Sequence, residues 1–201
     1  MTSQNPDLAD KVLQRHQEMV HQRTTWESLW EEIAKYVMPR KSGLFSHSSQ
    51  PDLADETALF DATAVRANMI LANGQLAWMT PMESRWFTMD PPKQFESEDA
   101  IEQWFQRCTE VVQAEISRSN FYTEIHELYL DRGAFGTAAI LVEAGRNSAL
   151  NFTKLDIGSF AISENDEGYV DTISREYEMT ARQAALKFGV EALSDRSEEH
   201  T

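Results

Sequence analysis

The chain has 201 residues, of which 41% are hydrophobic and 25% are charged, so it resembles one ordinary globular domain and not a disordered or collagen-like chain. The net charge is −15, and residues 1–50 are balanced, so the excess of acid lies in residues 51–201, with 12 basic against 27 acidic side chains. This excess of acid argues against a protein that binds nucleic-acid phosphates tightly. No apolar run is long enough for a membrane span, and the single cysteine, Cys108, fits a reducing compartment.

The first predicted element is a helix of about thirty residues that begins at Asn5-Pro6 and stops before Pro39. A helix this long exceeds the usual length in globular domains. Trp26 and Trp30 lie one turn apart and place a large apolar area on one stripe. We therefore expect this helix to contact something outside the small core of the chain.

Residues 40–58 are rich in Ser, Gly, Pro and Asp and predict a loop. Asp61 is then expected to cap a second helix, which Thr80-Pro81 ends, and the small residues on that helix allow a close neighbour. Residues 86–92 predict a short strand closed by a double proline.

A third, amphipathic helix is predicted to start at Ser97 and to carry Cys108 on its apolar stripe, as a buried and inert thiol. Asn120 is expected to cap a fourth helix that breaks between Gly133 and Gly136.

Three short segments, 137–143, 148–155 and 169–177, predict an antiparallel meander, and Thr180 then caps a last helix that Gly189 ends. The class is α+β, with long helices first and a small antiparallel sheet after. We expect four regions: an N-terminal long helix and loop (1–58), a helical region (59–136), a small meander with a short helix (137–195) and a non-native tail (196–201).

No nucleotide-binding loop or nucleophile elbow is present in the sequence, and the spacing of its histidines and carboxylates is poor for a metal site. His16 and His21 fall on different helix faces, and the pair Glu124 and His126 is separated by two residues. Glu143, Asp156 and Asp171 could meet across the meander, and the enzyme alternative is a hydrolase that uses Asp156 or Asp171. Outward acids on ordinary strands explain them better. We predict no catalytic, cofactor-binding or metal-binding residue, and no enzyme.

Several segments resemble, in the right order, the portal proteins (head-to-tail connectors) of short-tailed bacteriophages. They run from Trp26-Glu27-x-x-Trp30 through Leu59-Phe60-Asp61-x-Thr63 and Asp131-x-Gly133-x-x-Gly136 to Gly168-x-Val170-Asp171. The positions that match the family's motifs are Trp26, Trp30, Tyr36, Pro39, Asp61, Thr63, Pro81, Trp86, Phe87, Gly133, Gly136, Gly168 and Arg175.

The resemblance implies a ring of identical subunits, commonly twelve, at one vertex of the capsid. A separate ATP-driven terminase motor pumps double-stranded DNA through such a ring, and the DNA later leaves through it. The implied partners are further copies of the chain, capsid, scaffolding, terminase and tail proteins, with non-specific passage of DNA and no membrane. The implied location is the virion, and the host cytoplasm during assembly.

Portal chains are longer, so this chain resembles their N-terminal part, chiefly the outer wing. An acidic wall would repel phosphates and let DNA slide. The alternative is a helical adaptor module, from a phage or its host, that binds a protein partner and has no DNA role. Arg196-Ser197-Glu198-Glu199-His200-Thr201 resembles the translation of a sequencing-library adapter, and we expect the native sequence to stop near Asp195.

Overall fold

The computed structural model describes residues 6–41, 61–93, 99–145 and 148–189. The helices in these ranges are α1 (Pro6–Val37), α2 (Thr63–Met79), α3 (Asp99–Arg118), α4 (Phe121–Phe135) and α5 (Ala181–Phe188). The strands are β1 (Ala139–Ala144), β2 (Leu150–Leu155), β3 (Phe160–Glu164) and β4 (Val170–Arg175). The α+β class is confirmed. The chain forms two compact units, residues 1–158 and 159–201, which are described separately.

The long first helix is confirmed, since α1 has 32 residues. It ends two residues before Pro39, which cannot donate a helical hydrogen bond and which begins a short 3-10 turn, Pro39–Lys41. The predicted cap, Asn5, lies outside the described residues. The C-terminal half of α1 packs through Ala34 against Phe135 and Ile157, which forms one of the two apolar clusters of the first unit.

Helix α2 ends where the sequence predicts. The predicted cap at Asp61 is wrong, because the cap position is Ala62, which makes no side-chain capping bond. Asp61 lies one position earlier, where a carboxylate oxygen accepts hydrogen bonds from the backbone N–H of Thr63 at 2.9 Å and from its hydroxyl at 2.7 Å. The inner face packs on α4, where Ala72 is fully buried and the amide of Asn68 donates to the carbonyl of Leu130 at 3.1 Å. Gly133 of α4 lies so close that a methyl group there would overlap the Asn68 side chain.

The amphipathic pattern of α3 is confirmed in part. Ile116 is buried and Val112 packs against the aromatic cluster, whereas Cys108 is only half-buried, so the prediction of a buried thiol is wrong. The predicted cap at Ser97 lies outside the described residues.

The predicted strand at residues 86–92 is wrong, because this segment pairs with no other strand in the described part of the chain. The backbone N–H of Met89 donates to the hydroxyl of Thr109 at 2.9 Å, where a strand would use a neighbouring carbonyl. Trp86 lies parallel to Phe121 with ring centroids 5.8 Å apart, so packing and not pairing holds the segment.

Asn120 precedes α4 as predicted, but its side chain makes no capping bond to that helix. Its amide instead donates to the carbonyl of Phe152 at 2.6 Å and accepts from the N–H of Phe152 at 2.9 Å, which joins the start of α4 to β2. The helix ends at Gly136, whose φ of 77° is a left-handed conformation that favours glycine.

The predicted meander is two separate antiparallel hairpins. In the first unit β1 pairs with β2, with Ala139 opposite Leu155. Phe152 and Leu155 of β2 are buried, and Phe152 contacts Phe121 in the cluster that also holds Ile116 and Tyr122. The second unit contains the other hairpin, in which β3, a strand that the sequence analysis did not predict, pairs with β4.

The predicted cap of the last helix is confirmed. The hydroxyl of Thr180 accepts from the N–H of Gln183 at 3.3 Å, and the Gln183 side chain accepts from the N–H of Thr180 at 2.9 Å. This reciprocal capping box starts α5, and Gly189 ends it.

Candidate interaction surface

A network of four charged side chains joins the end of α1, helix α4 and the end of β2. The Asp131 carboxylate, which is only 1% exposed, accepts from the Lys41 ammonium at 2.5 Å and from the Lys154 ammonium at 3.2 Å. Lys154 also donates to Asp156 at 2.6 Å. The network has no net charge and ties together residues that lie far apart in the sequence.

Burial and pairing act in opposite directions on the groups of this network. Burial favours the neutral form of Lys154, but Asp156 and Asp131 outweigh it and raise the pKa of Lys154 above its ordinary value. Burial likewise opposes ionisation of Asp156, and the neighbouring lysines lower the pKa of that carboxyl in spite of it. Lys154 and Asp156 therefore suit a fixed structural role and not proton transfer near neutral pH.

The residues weighed for chemistry make structural bonds. The His126 ring and the Asn73 amide lie 2.9 Å apart, and Glu124 accepts from the backbone N–H of Lys154 at 2.7 Å. Asp156 belongs to the charge network, whereas Asp171 lies in the second unit and accepts from the hydroxyl of Thr172 at 2.9 Å. The described residues do not bring together three His, Cys, Asp or Glu side chains that could hold a metal ion.

Apolar side chains are exposed on the outer sides of the helices of the first unit. On α1, Trp26 and Tyr36 are both more than half exposed, whereas Trp30, one turn from Trp26, packs towards the cluster of Ala34 and Phe135. On α2, Ile70 is 66% and Trp78 is 89% exposed. The described helices include none that is long and apolar enough to cross a bilayer.

The positions that match the portal motifs fall into two groups. Those at ends of elements are Pro39, Asp61, Thr63, Pro81, Gly136 and Gly168. Those that pack or project are Trp26, Trp30, Tyr36, Trp86, Phe87, Gly133 and Arg175. The guanidinium of Arg175 stacks 4.4 Å above the Tyr177 ring in the second unit. The roles that the resemblance gives these positions stay predictions.

Sequence reasoning missed the charge network and Trp78. Lys41 and Asp131 are 90 residues apart, so no local pattern connects them. Trp78 did leave a signal: Arg66 is the only charged residue between Asp61 and Glu83, in a chain of which a quarter is charged.

A family described as "Bacteriophage head to tail connecting protein" matches residues 9–200. A protein named "Probable portal protein" from Bordetella phage BPP-1 is 31% identical over 91% of this chain and 33% of its own length. The "Portal protein" of Salmonella phage epsilon15 is 25% identical over 92% of this chain and 34% of its own length. The chain thus spans about a third of the length of these curated relatives, and it belongs to the family of bacteriophage head-to-tail connecting proteins.

Proposed function

We propose that the chain is the N-terminal, wing-like part of a portal subunit, the structural ring protein that connects the phage head to its tail. The observation that carries this proposal is the family match, which covers nearly the whole chain. The names of both relatives, each a portal protein, agree with it.

In this proposal the full-length protein forms a closed ring. The resemblance to portal proteins suggests twelve subunits. A ring needs head-to-tail contacts between two different patches of the same subunit. Trp26, Tyr36 and Trp78 support this, because large aromatic side chains exposed on two helices of a small unit need partners that its own core does not supply.

The role is structural and not enzymatic. Its support is the bonding of Glu124, His126 and Asp156, each of which is held by a neighbour in the fold. The hydrolysis of ATP that moves DNA belongs, in this proposal, to a separate terminase motor. Capsid, scaffolding and tail proteins are the further partners.

The proposed place of action is the portal vertex of the virion, and the host cytoplasm during assembly. Genome DNA passes through the ring during packaging and ejection, without sequence-specific contacts. The net charge of −15 agrees with such passage, because an acidic surface does not retain phosphates.

Electron microscopy of the purified full-length protein tests this proposal. We expect ring-shaped particles with a central opening and rotational symmetry. Particles without an opening, formed only together with a host or phage protein in a simple stoichiometric complex, would support the adaptor alternative instead.

A further inference from the structure

The outer side of α2 forms an apolar stripe that nothing in the described part of the chain covers. Ile70, Gly74 and Trp78 follow each other at a spacing of four residues and therefore lie on one side of the helix. Ile70 is 66% and Trp78 is 89% exposed, and the small side chains of Ala67 and Ala77 beside them are exposed too. We call these five residues the outward α2 face.

This face lies opposite the packed side of the same helix. Asn68 and Ala72 are buried against α4, so α2 has one face that serves the core and another that is equally apolar but open. A helix on the surface of a lone domain normally carries polar or charged residues on its outer side. The composition of α2 is therefore that of a helix covered on both sides.

Charge identifies the kind of partner that fits. Each copy has a net charge of −15, so copies repel each other wherever their acidic surfaces meet. From residue 62 to residue 82 the sole charge is the positive Arg66, so here two copies can approach without bringing acids together. A nucleic acid would find only one basic group here to neutralise its phosphates, and a strongly basic partner would find no acidic group to pair with.

The shape of the face suits another element of secondary structure. A methyl group added at Gly74 would meet no atom within 4 Å, so the middle of the stripe is flat and open. Small residues flank it and Trp78 projects at one end. Tryptophan is one of the residue types enriched among the side chains that carry most of the binding energy in protein interfaces.

We propose that the outward α2 face is covered by a second copy of this chain, as one half of the head-to-tail contact between neighbouring ring subunits. This rests on the proposed portal function, because it presumes that the full-length protein forms a ring. The other half of the contact is a different surface of the neighbouring copy, as ring closure requires.

The variant Trp78→Glu in the full-length protein tests the proposal, with Trp104→Glu as its matched control. Trp104 is also a helical tryptophan, 61% exposed on α3, so both variants add one acid at the place of one indole. Mass photometry should show loss of the ring peak for Trp78→Glu and an unchanged ring for Trp104→Glu. Rings in both variants, or loss of rings in both, would overturn the assignment to α2.

Hydroxyl-radical footprinting of the unmodified full-length protein gives a second readout that does not depend on a variant folding. Trp78 should be oxidised several-fold more slowly in the ring fraction than in the unassembled fraction, and Trp104 at the same rate in both. If Trp78 is oxidised slowly in both fractions, the protein's own chain covers the face. If Trp78 is oxidised rapidly in both fractions, nothing covers the face. Either result overturns the proposal, whereas absence of any ring in the unmodified protein would overturn the portal function itself.

Discussion

At the scale of single residues, the stability of the first unit depends strongly on Asp131. Its carboxylate is buried and is shared by two lysines whose side chains are themselves only 14% and 11% exposed. Without Asp131, both lysines would share the single carboxylate of Asp156. Removing one partner from a buried charge network costs far more than breaking a pair on the surface.

Asp131→Asn should therefore lower the free energy of unfolding by about 3 kcal/mol, the usual cost of removing one partner from a buried charge pair. Urea titration of the chain measures this. The matched control is Glu115→Gln, which removes the partner of the exposed Arg118 and should change stability by less than about 0.5 kcal/mol. Equal effects of the two substitutions would show that the network is not important for stability.

The same network predicts how stability depends on pH. The lowered pKa of Asp156 means that its contribution is present above about pH 4, where the carboxyl ionises in the unfolded chain, and is lost as the pH falls through its folded value. The raised pKa of Lys154 means that its contribution is present below about pH 10 and is lost at higher pH.

Thermal melting followed between neutral and acidic pH checks the acidic limit. Asp156→Asn should reduce the loss of melting temperature in acid compared with the unmodified chain. An identical acid dependence in both proteins would contradict the structural role given to Asp156.

At the scale of the elements, the close approach of α4 to α2 depends on Gly133. A methyl group there would overlap Asn68, whose amide is held by the carbonyl of Leu130 and so cannot move aside without losing that bond. Gly74 on the opposite side of α2 has free space around it.

Gly133→Ala should lower the free energy of unfolding by about 1 kcal/mol, because overpacking outweighs the better helix propensity of alanine. Gly74→Ala should raise it by about 0.5–1 kcal/mol, since there only the propensity changes. Urea titration of the two variants compares the same substitution in opposite surroundings. A gain in stability for both would show that α2 and α4 are not in close contact.

The elements also show what the sequence could predict. Local signals sufficed for the long helix before Pro39, the end of α2 at Thr80 and the capping box at Thr180, because each depends on residues within a few positions of each other. The segment around Trp86 was wrongly predicted to be a strand, because its packing against Phe121, far along the chain, decides its structure. Strand β3 was missed, because its structure depends on pairing with β4.

The candidate surface was predictable only in outline. An unusually long helix with two tryptophans indicated contacts beyond the chain's own core, and Trp26 is indeed more than half exposed. Its neighbour Trp30 packs against the Ala34 cluster instead. Which tryptophan points outwards depends on where α1 rests on the fold, which no local pattern states.

At the scale of the whole molecule, a strongly acidic chain that exposes apolar helix faces combines two opposing tendencies. The charge of −15 keeps copies apart, whereas the uncharged stripe of α2 offers a surface on which, in the proposal above, a neighbouring copy binds. A head-to-tail contact of this kind closes into a ring or continues as a filament, depending on the rotation between neighbours.

The mass of the full-length gene product in solution tests this account most directly. Native mass spectrometry should find a closed assembly of many identical subunits, with a single copy number that does not grow with protein concentration. A stable monomer at every concentration would contradict the account, because exposed surfaces such as Trp78 would then remain uncovered by any neighbouring copy.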